Sequence, residues 1–382
     1  MNDQKLVIIG AGEFQIGLVE TARRLGYETH VFAWEEGAVC RFVADHFYPI
    51  SIVDKERILK NTRGIEPVGI VSIASDLAVP TVNYVANELG LVGNSNYSSL
   101  VSTNKYEMRK ALSSRGISCS SFVLVDNEFG LDEVNMTYPL IVKPVDRSGS
   151  RGITKIIDER DLNSAIGTAI TSSIKNQAIL EEFFEGQEYS IEMISFQGAH
   201  YFLAITEKFT TGAPHFVEKM HLQPGRIKEY TLRKAIEIVK KALDALKIKN
   251  GASHSEIRIN KDNEIMIIEI GARMGGDYIG SDLVKLTTGN DYLKMVIDIA
   301  VGKEPEFGLV NKSFGAALVK FIFNKEDLNI FQVIHKNHQD SLYKYDIKMI
   351  TDHVVTDSSN RYGYFILHCR NAEECLHLVG EQ

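Results

Sequence analysis

Through residue 103, strand-length apolar runs alternate with amphipathic stretches of helical period. Lys5–Ile9 reads KLVII and runs into Gly10-Ala11-Gly12. Ile16, Val19, Ala22 and Leu25 then fall on one helical face that Gly26 closes, before a second strand at Thr29–Ala33. A strand at Gly69–Ile73, a helix at Leu77–Leu89 and a short strand-turn in LGLVGN continue the pattern. This alternation predicts a Rossmann-like parallel α/β module. Its glycines, Gly10-x-Gly12-x-x-x-x-Gly17, approximate a dinucleotide fingerprint, but the third falls late and Gln15 holds its place. Glu35 and Glu36 stand about where a ribose-binding acid would. Two readings stay open, a nicotinamide-dinucleotide site and a plain module whose helix N-terminus faces a cleft.

Beyond Thr103 the pattern changes. TNKYEMRKALSSRG predicts a helix with Met108, Ala111 and Leu112 on one face and Gly116 as its stop. Lys105 falls in the first turn, where the helix dipole opposes a cation; an anionic ligand or simple solvation would explain it. A strand at Phe122–Val125, a short helix near Leu131–Val134 and a strand at Leu140–Pro144 carrying Lys143 follow. Residues 145–152, VDRSGSRG, lead into a strand at Ile153–Ile157. A loop this rich in Gly, Ser and Arg suits either a nest of N–H groups for phosphate oxygens or a flexible hairpin. It is not a Walker A loop, which needs Gly-Lys-Ser/Thr opening a helix. After a helix at Asp161–Ile174, the strand Ala178–Phe184 is broken by Gly186 and resumes near Tyr189. Glu181 and Glu188 on these strands face either a nucleotide or solvent.

Residues 252–277 hold the densest chemistry: strands His254–Asn260 and Ile265–Gly271 around the turn Lys261–Glu264. A turn centred between Asp262 and Asn263 sets Glu256 opposite Glu269 and His254 opposite Gly271. Carboxylates so placed repel by about 3 kcal/mol at an effective dielectric of about 20. A divalent cation with a preference for oxygen ligands would turn that repulsion into coordination. A solvated edge hairpin with Arg258 and Lys261 as counter-charges is the alternative.

Composition narrows the class. The chain has 382 residues, 44% hydrophobic and 24% charged, as in ordinary globular proteins of several domains. A net charge of −8 argues against a nucleic-acid surface. No apolar run has the length of a membrane span, and MNDQK passes directly into a strand rather than a signal peptide. Cys40, Cys119, Cys369 and Cys375 lack zinc-type spacing and suit a reducing, cytoplasmic setting.

Taken in order, Lys105, Lys143-Pro144, the Ser/Gly loop, Glu181…Glu188, Glu256, Glu269 and Arg273 resemble the ATP-grasp superfamily over residues 1–310. Within it the likeness is to carboxylate–amine (L-amino acid) ligases, with kinship to the carbamoyl-phosphate synthase large subunit and purine-pathway ligases. The resemblance implies an α/β N-terminal domain (1–103), an α+β ATP-grasp domain (104–310) and a small C-terminal subdomain (311–382). The middle domain would divide into a mobile lid (122–182) and a metal-binding core (183–310). It implies ATP and Mg2+, with Mn2+ as a substitute. Lys105 and Lys143 would hold phosphates under a flap of Ser148, Gly149 and Ser150. Glu181 with the backbone of Phe183 and Phe184 would meet adenine, and Glu188 the ribose. Glu256 and Glu269 would hold the metal, and Arg273 would steady the acyl phosphate and tetrahedral intermediate. Gly271 stands where the family often has Asn, which puts a second metal in question. The implied reaction joins a small-molecule carboxylate to an amine through an acyl phosphate, with no nucleic-acid or membrane partner and a homodimer as one candidate assembly. In TTGAPHFVEKMHLQPG, a glycine-bearing connection, Glu218 and His221 are candidate substrate contacts, as are Gly275 and Gly276 beside Arg273. The rivals are a bicarbonate-using carboxylase or carbamoyl-phosphate-like enzyme, a nucleotide-binding protein without turnover, and an oxidoreductase read from the N-terminal glycines.

Overall fold

The computed structural model describes residues 4–126, 136–213, 216–308, 314–351 and 353–381. KLVII forms β1 (Lys5–Ile9), and its Leu6–Ile9 are fully buried. A parallel strand covered on both faces must be apolar throughout, which is why this run does not alternate. β2 (Glu28–Ala33), β3 (His46–Pro49) and β4 (Gly69–Val71) complete a parallel sheet in the order β3-β2-β1-β4. The helix Ile16–Arg24 buries Leu18, Val19 and Ala22 in the same core. The strand expected in LGLVGN is absent. Gly90, at φ +67°, ends the helix Val79–Leu89, and Asn94 Oδ1 then accepts from the N–H groups of Lys249 and Asn250 at 2.8 and 3.0 Å. A side chain thus serves backbone groups that a ladder would otherwise have served.

The helix Lys105–Ser113 begins at Asn104, whose side chain accepts from Glu107 N. It leads to an antiparallel sheet of β5 (Phe122–Val125), β6 (Leu140–Pro144), β7 (Thr154–Ile156) and β8 (Ala178–Glu182), ordered β5-β8-β6-β7. The helix Leu162–Ser172 packs Leu162, Ala165, Ile166, Ala169 and Ile170 against Val125, Leu140, Val142 and Leu180. The helix expected near Leu131–Val134 lies outside the described residues.

The remaining strands form one sheet. They are β9 (Gln187–Phe196), β10 (Ala199–Thr210), β11 (Glu218–Gln223), β12 (Gly251–Ile259), β13 (Ile265–Gly271), β14 (Ala316–Phe321), β15 (Leu342–Ile347) and β16 (Gly363–Cys369). The order β13-β12-β9-β10-β11-β14-β16-β15 places strands from before and after the expected boundary at 310 in one sheet. β11 was expected as a connection. It is a strand because β10 and β14 pair with it on either side, and Met220, His221, Leu222 and Gln223 are all buried.

β12 and β13 pair with Glu256 opposite Glu269 and His254 opposite Gly271. Nearer the turn the register differs from the expected one by a residue, with Ile257 opposite Ile267 and Ile259 opposite Ile265. A bulge at Ile268 accounts for the shift. Without it, the register set by the turn would put Ile268 opposite Glu256.

Candidate active site

The three sheets meet at a cleft of about 360 Å3. Its floor is the β12–β13 hairpin, its roof the loop 145–152, and its walls Asp76, which follows the N-terminal parallel sheet, and Asp357–Ser359 from the C-terminal part. A second hollow of about 560 Å3 shares Glu188, Lys208, Phe216 and Arg258 with it and adds Lys155 and Phe183. A larger groove of about 890 Å3 lies beside His338 and His368 in the C-terminal part. Its lining holds one lysine, Lys336, where the cleft has Lys105, Lys143 and Lys208.

Lys105 is buried, and its Nζ donates to Glu269 Oε1 at 2.8 Å and to the Arg147 carbonyl at 2.6 Å. Its backbone N–H donates to the carbonyl of Val145, so the start of the helix is tied to the base of the phosphate-type loop. Lys143 Nζ lies 2.6 Å from Glu181 Oε2. Burial pushes the Lys143 ammonium down, against the pull of Glu181. Burial would raise the Glu181 carboxyl, but Arg109 and Lys143 reverse this and bring it down to about 2. Arg109, missed in the sequence, donates from Nε to Glu181 at 2.5 Å and from Nη2 to the bulge carbonyl of Ile268 at 2.6 Å. Arg109 carries no signal of its own in the sequence, because its burial is decided by packing.

Lys208 was also missed. Its Nζ lies 3.0 Å from Glu188 and 3.9 Å from Glu218, and it contacts Glu256 directly. Burial opposes its charge, but the surrounding carboxylates hold it well above the ordinary lysine range. Burial would likewise raise Glu256, yet Lys208 and His254 keep it well below the carboxylate range. His254 Nδ1 sits 2.5 Å from Glu192 Oε1 and Nε2 3.4 Å from Glu256 Oε1. Burial works against the imidazolium, but Glu192 and then Glu256 lift its pKa to about 9. The repulsion expected between Glu256 and Glu269 is therefore already offset. Each carboxylate has its own buried cation, supplied by strands and helices distant in sequence.

Arg273 Nε and Nη2 donate to the two oxygens of Asp76, both at 2.9 Å. A Cβ added at Gly271 would stand 2.9 Å from Asp76 Oδ1 and 3.2 Å from Arg273 Nε. The room an asparagine would need there is filled by this ion pair. Asp76 follows the carboxyl end of β4, the place where parallel sheets bind ligands, and that position was its available signal. Gly275 allows close packing, since its Cβ would come within 2.8 Å of His254 Nδ1, whereas at Gly276 the nearest atom is 3.6 Å away.

Ser148, Gly149 and Ser150 line the roof, with Gly149 at φ +69° and Ser150 at φ +59°. Ser150 Oγ donates to the Phe216 carbonyl at 3.0 Å. Phe183 lies between Lys155 and Arg258, whose charged groups are 3.7 and 4.5 Å from its ring centre. Its N–H is engaged by the Pro139 carbonyl at 2.9 Å, and the Phe184 carbonyl accepts from Arg258 Nη1 at 3.3 Å. Glu218 accepts from Ser358 Oγ at 2.9 Å and from Arg361 at 3.3 Å. His221 is buried with Nε2 3.5 Å from Asp277, and burial pushes its pKa down.

The N-terminal glycines do not form a dinucleotide turn of the expected kind. Gln15 folds back into it, accepting from Gly12 N at 2.9 Å and donating from Nε2 to the Ile73 carbonyl at 2.7 Å. Glu35 is exposed and lies 3.8 Å from Arg41.

Lysines and carboxylates converge between a four-stranded antiparallel sheet and a larger antiparallel one, an architecture of the ATP-grasp kind. Residues 136–282 match the model of the ATP-grasp domain. It is 27% identical to the alanine–anticapsin ligase of Bacillus subtilis over 290 residues, 69% of this chain and 60% of that protein. It is 31% identical to the D-alanine–D-alanine ligase of Flavobacterium johnsoniae over 189 residues, 47% of this chain and 57% of the relative. The chain thus spans about 60% or less of these relatives' length. The crystal structure of an L-amino acid ligase from Bacillus licheniformis superposes with a TM-score of 0.82 at 23% identity, covering 100% of this chain and 97% of that one. An ADP complex of N5-carboxyaminoimidazole ribonucleotide synthetase gives 0.80 at 18% identity, covering 99% and 95%. No helix among the described residues is long and apolar enough to cross a membrane.

Proposed function

We propose that the chain is an ATP-dependent carboxylate–amine ligase that forms an amide bond through an acyl phosphate and releases ADP and phosphate. One observation carries the reading. Three buried lysines, Lys105, Lys143 and Lys208, converge on one cleft with the carboxylates of Glu269 and Glu256, and Lys143 is paired behind it with the buried Glu181. Folding alone has little use for so many buried charges, since each costs desolvation. A polyphosphate with a divalent cation needs both sets. The named relatives, ligases of amino acids, point the same way.

Bound ATP with Mg2+, or Mn2+ in its place, would supply the phosphoryl group that activates the carboxylate. Glu256 and Glu269 present hard oxygen donors to the cation. Lys105, Lys143 and Lys208 neutralise phosphate oxygens as these carboxylates and Glu181 release them. Ser148–Ser150 close over the phosphates, as part of a lid comprising 122–182 between an N-terminal domain (1–103) and a core reaching residue 310. Glu181 and the backbone of Phe183 and Phe184 border the adenine, and Glu188 the ribose. Arg273, whose charge burial opposes but Asp76 secures, is a fixed fork for the oxyanion that develops during transfer. Glu218, His221, Gly275 and Gly276 border the amine and carboxylate substrates. Phosphoryl transfer needs positioning and charge neutralisation above all, and these groups suffice for both.

The test is ATP-dependent phosphate release screened over small carboxylates crossed with amino acids, with hydroxylamine as a trap for the acyl phosphate. Hydroxamate and ADP formed together, without bicarbonate, are expected. Nucleotide binding with no turnover on any pair would leave only the binding-protein reading.

A further inference from the structure

A second group of ligand-type side chains lies on the N-terminal sheet, away from the cleft. β2 and β3 run parallel with His30 opposite His46, and Glu28 precedes His30 by one strand repeat on the same face. Glu28 Oε1 is 3.0 Å from His30 Nε2 and 3.0 Å from His46 Nε2. The two imidazoles stack with centroids 4.5 Å apart. His30 is buried, and its other nitrogen, Nδ1, lies 2.9 Å from the Tyr48 hydroxyl. The side chains of Glu28 and His46 are 39% and 50% exposed, so one side of the group is open to water. Among the described residues this is the one group of three His, Cys, Asp or Glu donors close enough to share an ion.

We propose that Glu28, His30 and His46 form a binding site for a transition-metal dication of the Zn2+ type, which clips the edge strand β3 to β2. Two imidazole nitrogens and a carboxylate oxygen are a donor set that Zn2+ takes at about 2.0–2.2 Å, with water in the fourth tetrahedral position. Donors around such an ion stand about 3.3 Å apart, a small adjustment from the 3.0 Å separations here. The exposed His46 supplies the freedom to turn out of the stack. Tyr48 orients the His30 ring from behind, as the outer partner of a metal-bound histidine does. Mg2+ is selected against, because it prefers an all-oxygen shell. The site is therefore chemically distinct from Glu256 and Glu269. It is spatially distinct too. Glu28 and His46 begin their strands, whereas the parallel sheet meets the cleft at the opposite, carboxyl ends, where Asp76 follows β4. Lys5 stands opposite Glu28 on β1 and supplies the opposing charge.

The full chain, stripped of metal and then held in excess Mg2+, is titrated with Zn2+ against a chromogenic chelator, with Co2+ in a parallel titration. One tight equivalent of Zn2+ and the strong visible absorption of tetrahedral Co2+ are expected. His46→Ala, a change at a half-exposed side chain, should weaken Zn2+ by about 100-fold or more and abolish the Co2+ band. Tyr48→Phe should weaken it about tenfold. Lys5→Met should tighten it, and Mg·ADP binding should be the same in His46→Ala as in the parent. Zn2+ affinity and the Co2+ spectrum unchanged by His46→Ala would overturn the assignment, as would the absence of a tight equivalent in the parent chain.

Discussion

Lys105 Nζ and Glu269 Oε1 form a 2.8 Å ion pair between a helix and a strand more than 160 residues apart in sequence. The pair joins a proposed phosphate ligand to a proposed metal ligand, and Lys208 with Glu256 repeats the arrangement. A cation that takes the carboxylates frees both lysines for phosphate, and phosphates that take the lysines free both carboxylates. Metal and nucleotide binding should therefore be positively coupled.

Calorimetry of ADP with and without Mg2+ tests this directly. We expect Mg2+ to tighten ADP by about 5- to 150-fold. Glu269→Gln should invert the pattern, binding ADP more tightly than the parent without Mg2+ and less tightly with it. Equal losses in both conditions would mean that Glu269 serves Lys105 structurally and no metal.

Arg109 should decide whether Lys143 can change partners. With Arg109 beside it, Glu181 remains compensated after Lys143 turns to a phosphate. Arg109→Met would leave a buried carboxylate dependent on Lys143 alone. Nucleotide affinity should fall by about 10- to 150-fold, the range for a hydrogen bond to a charged group. Adding Glu181→Gln should recover part of that loss. A double variant no better than the single one would remove Arg109 from the binding account.

His254 carries a pH signature. Its folded pKa of about 9 lies above its ordinary value of 6.5, so the stabilisation is complete below pH 6.5 and is lost as pH rises through 9. The window is worth about 3 kcal/mol at most. Without Mg2+, thermal stability should fall across it, and His254→Gln should flatten the slope. A parent chain with no slope between these values would show that Glu192 and Glu256 do not hold the imidazolium.

Arg273 and Asp76 should affect turnover rather than nucleotide affinity. Arg273→Met is expected to lower kcat by about 10²–10³ with ADP affinity little changed. Asp76→Asn keeps the shape but loosens the fork, so a smaller fall in kcat is expected. Loss of ADP binding in Arg273→Met would place the guanidinium on the ground-state phosphates instead.

The roof loop offers a last measurement. Hydrogen exchange over residues 145–153 should slow when an ATP analogue binds, since Ser148–Ser150 line the cleft. Unchanged exchange with binding demonstrated would separate this loop from the flap.

Much of the local structure follows from the order of residues. KLVII must be a buried strand, and IVKP with a Ser/Gly loop must present backbone and a lysine together. The alternation around Glu256 and Glu269 sets two strands joined by a hairpin turn. These are properties of period and turn chemistry, and neighbours far along the chain do not alter them. The final register is another matter. The pairing adopted next to the turn would, if continued, have set Glu256 against Ile268, and the bulge that restores Glu269 lies where Arg109 grips the Ile268 carbonyl. Asp76, Arg109 and Lys208 read in sequence as ordinary charged residues. Only tertiary packing encloses them and makes each the counter-ion of a residue in or beside the cleft. Likewise FVEKMHLQ becomes a strand only because β10 and β14 lie on either side of it. Charge pairing and ladder hydrogen bonds act between atoms brought close in space, so folding had to decide which carboxylate each cation would meet.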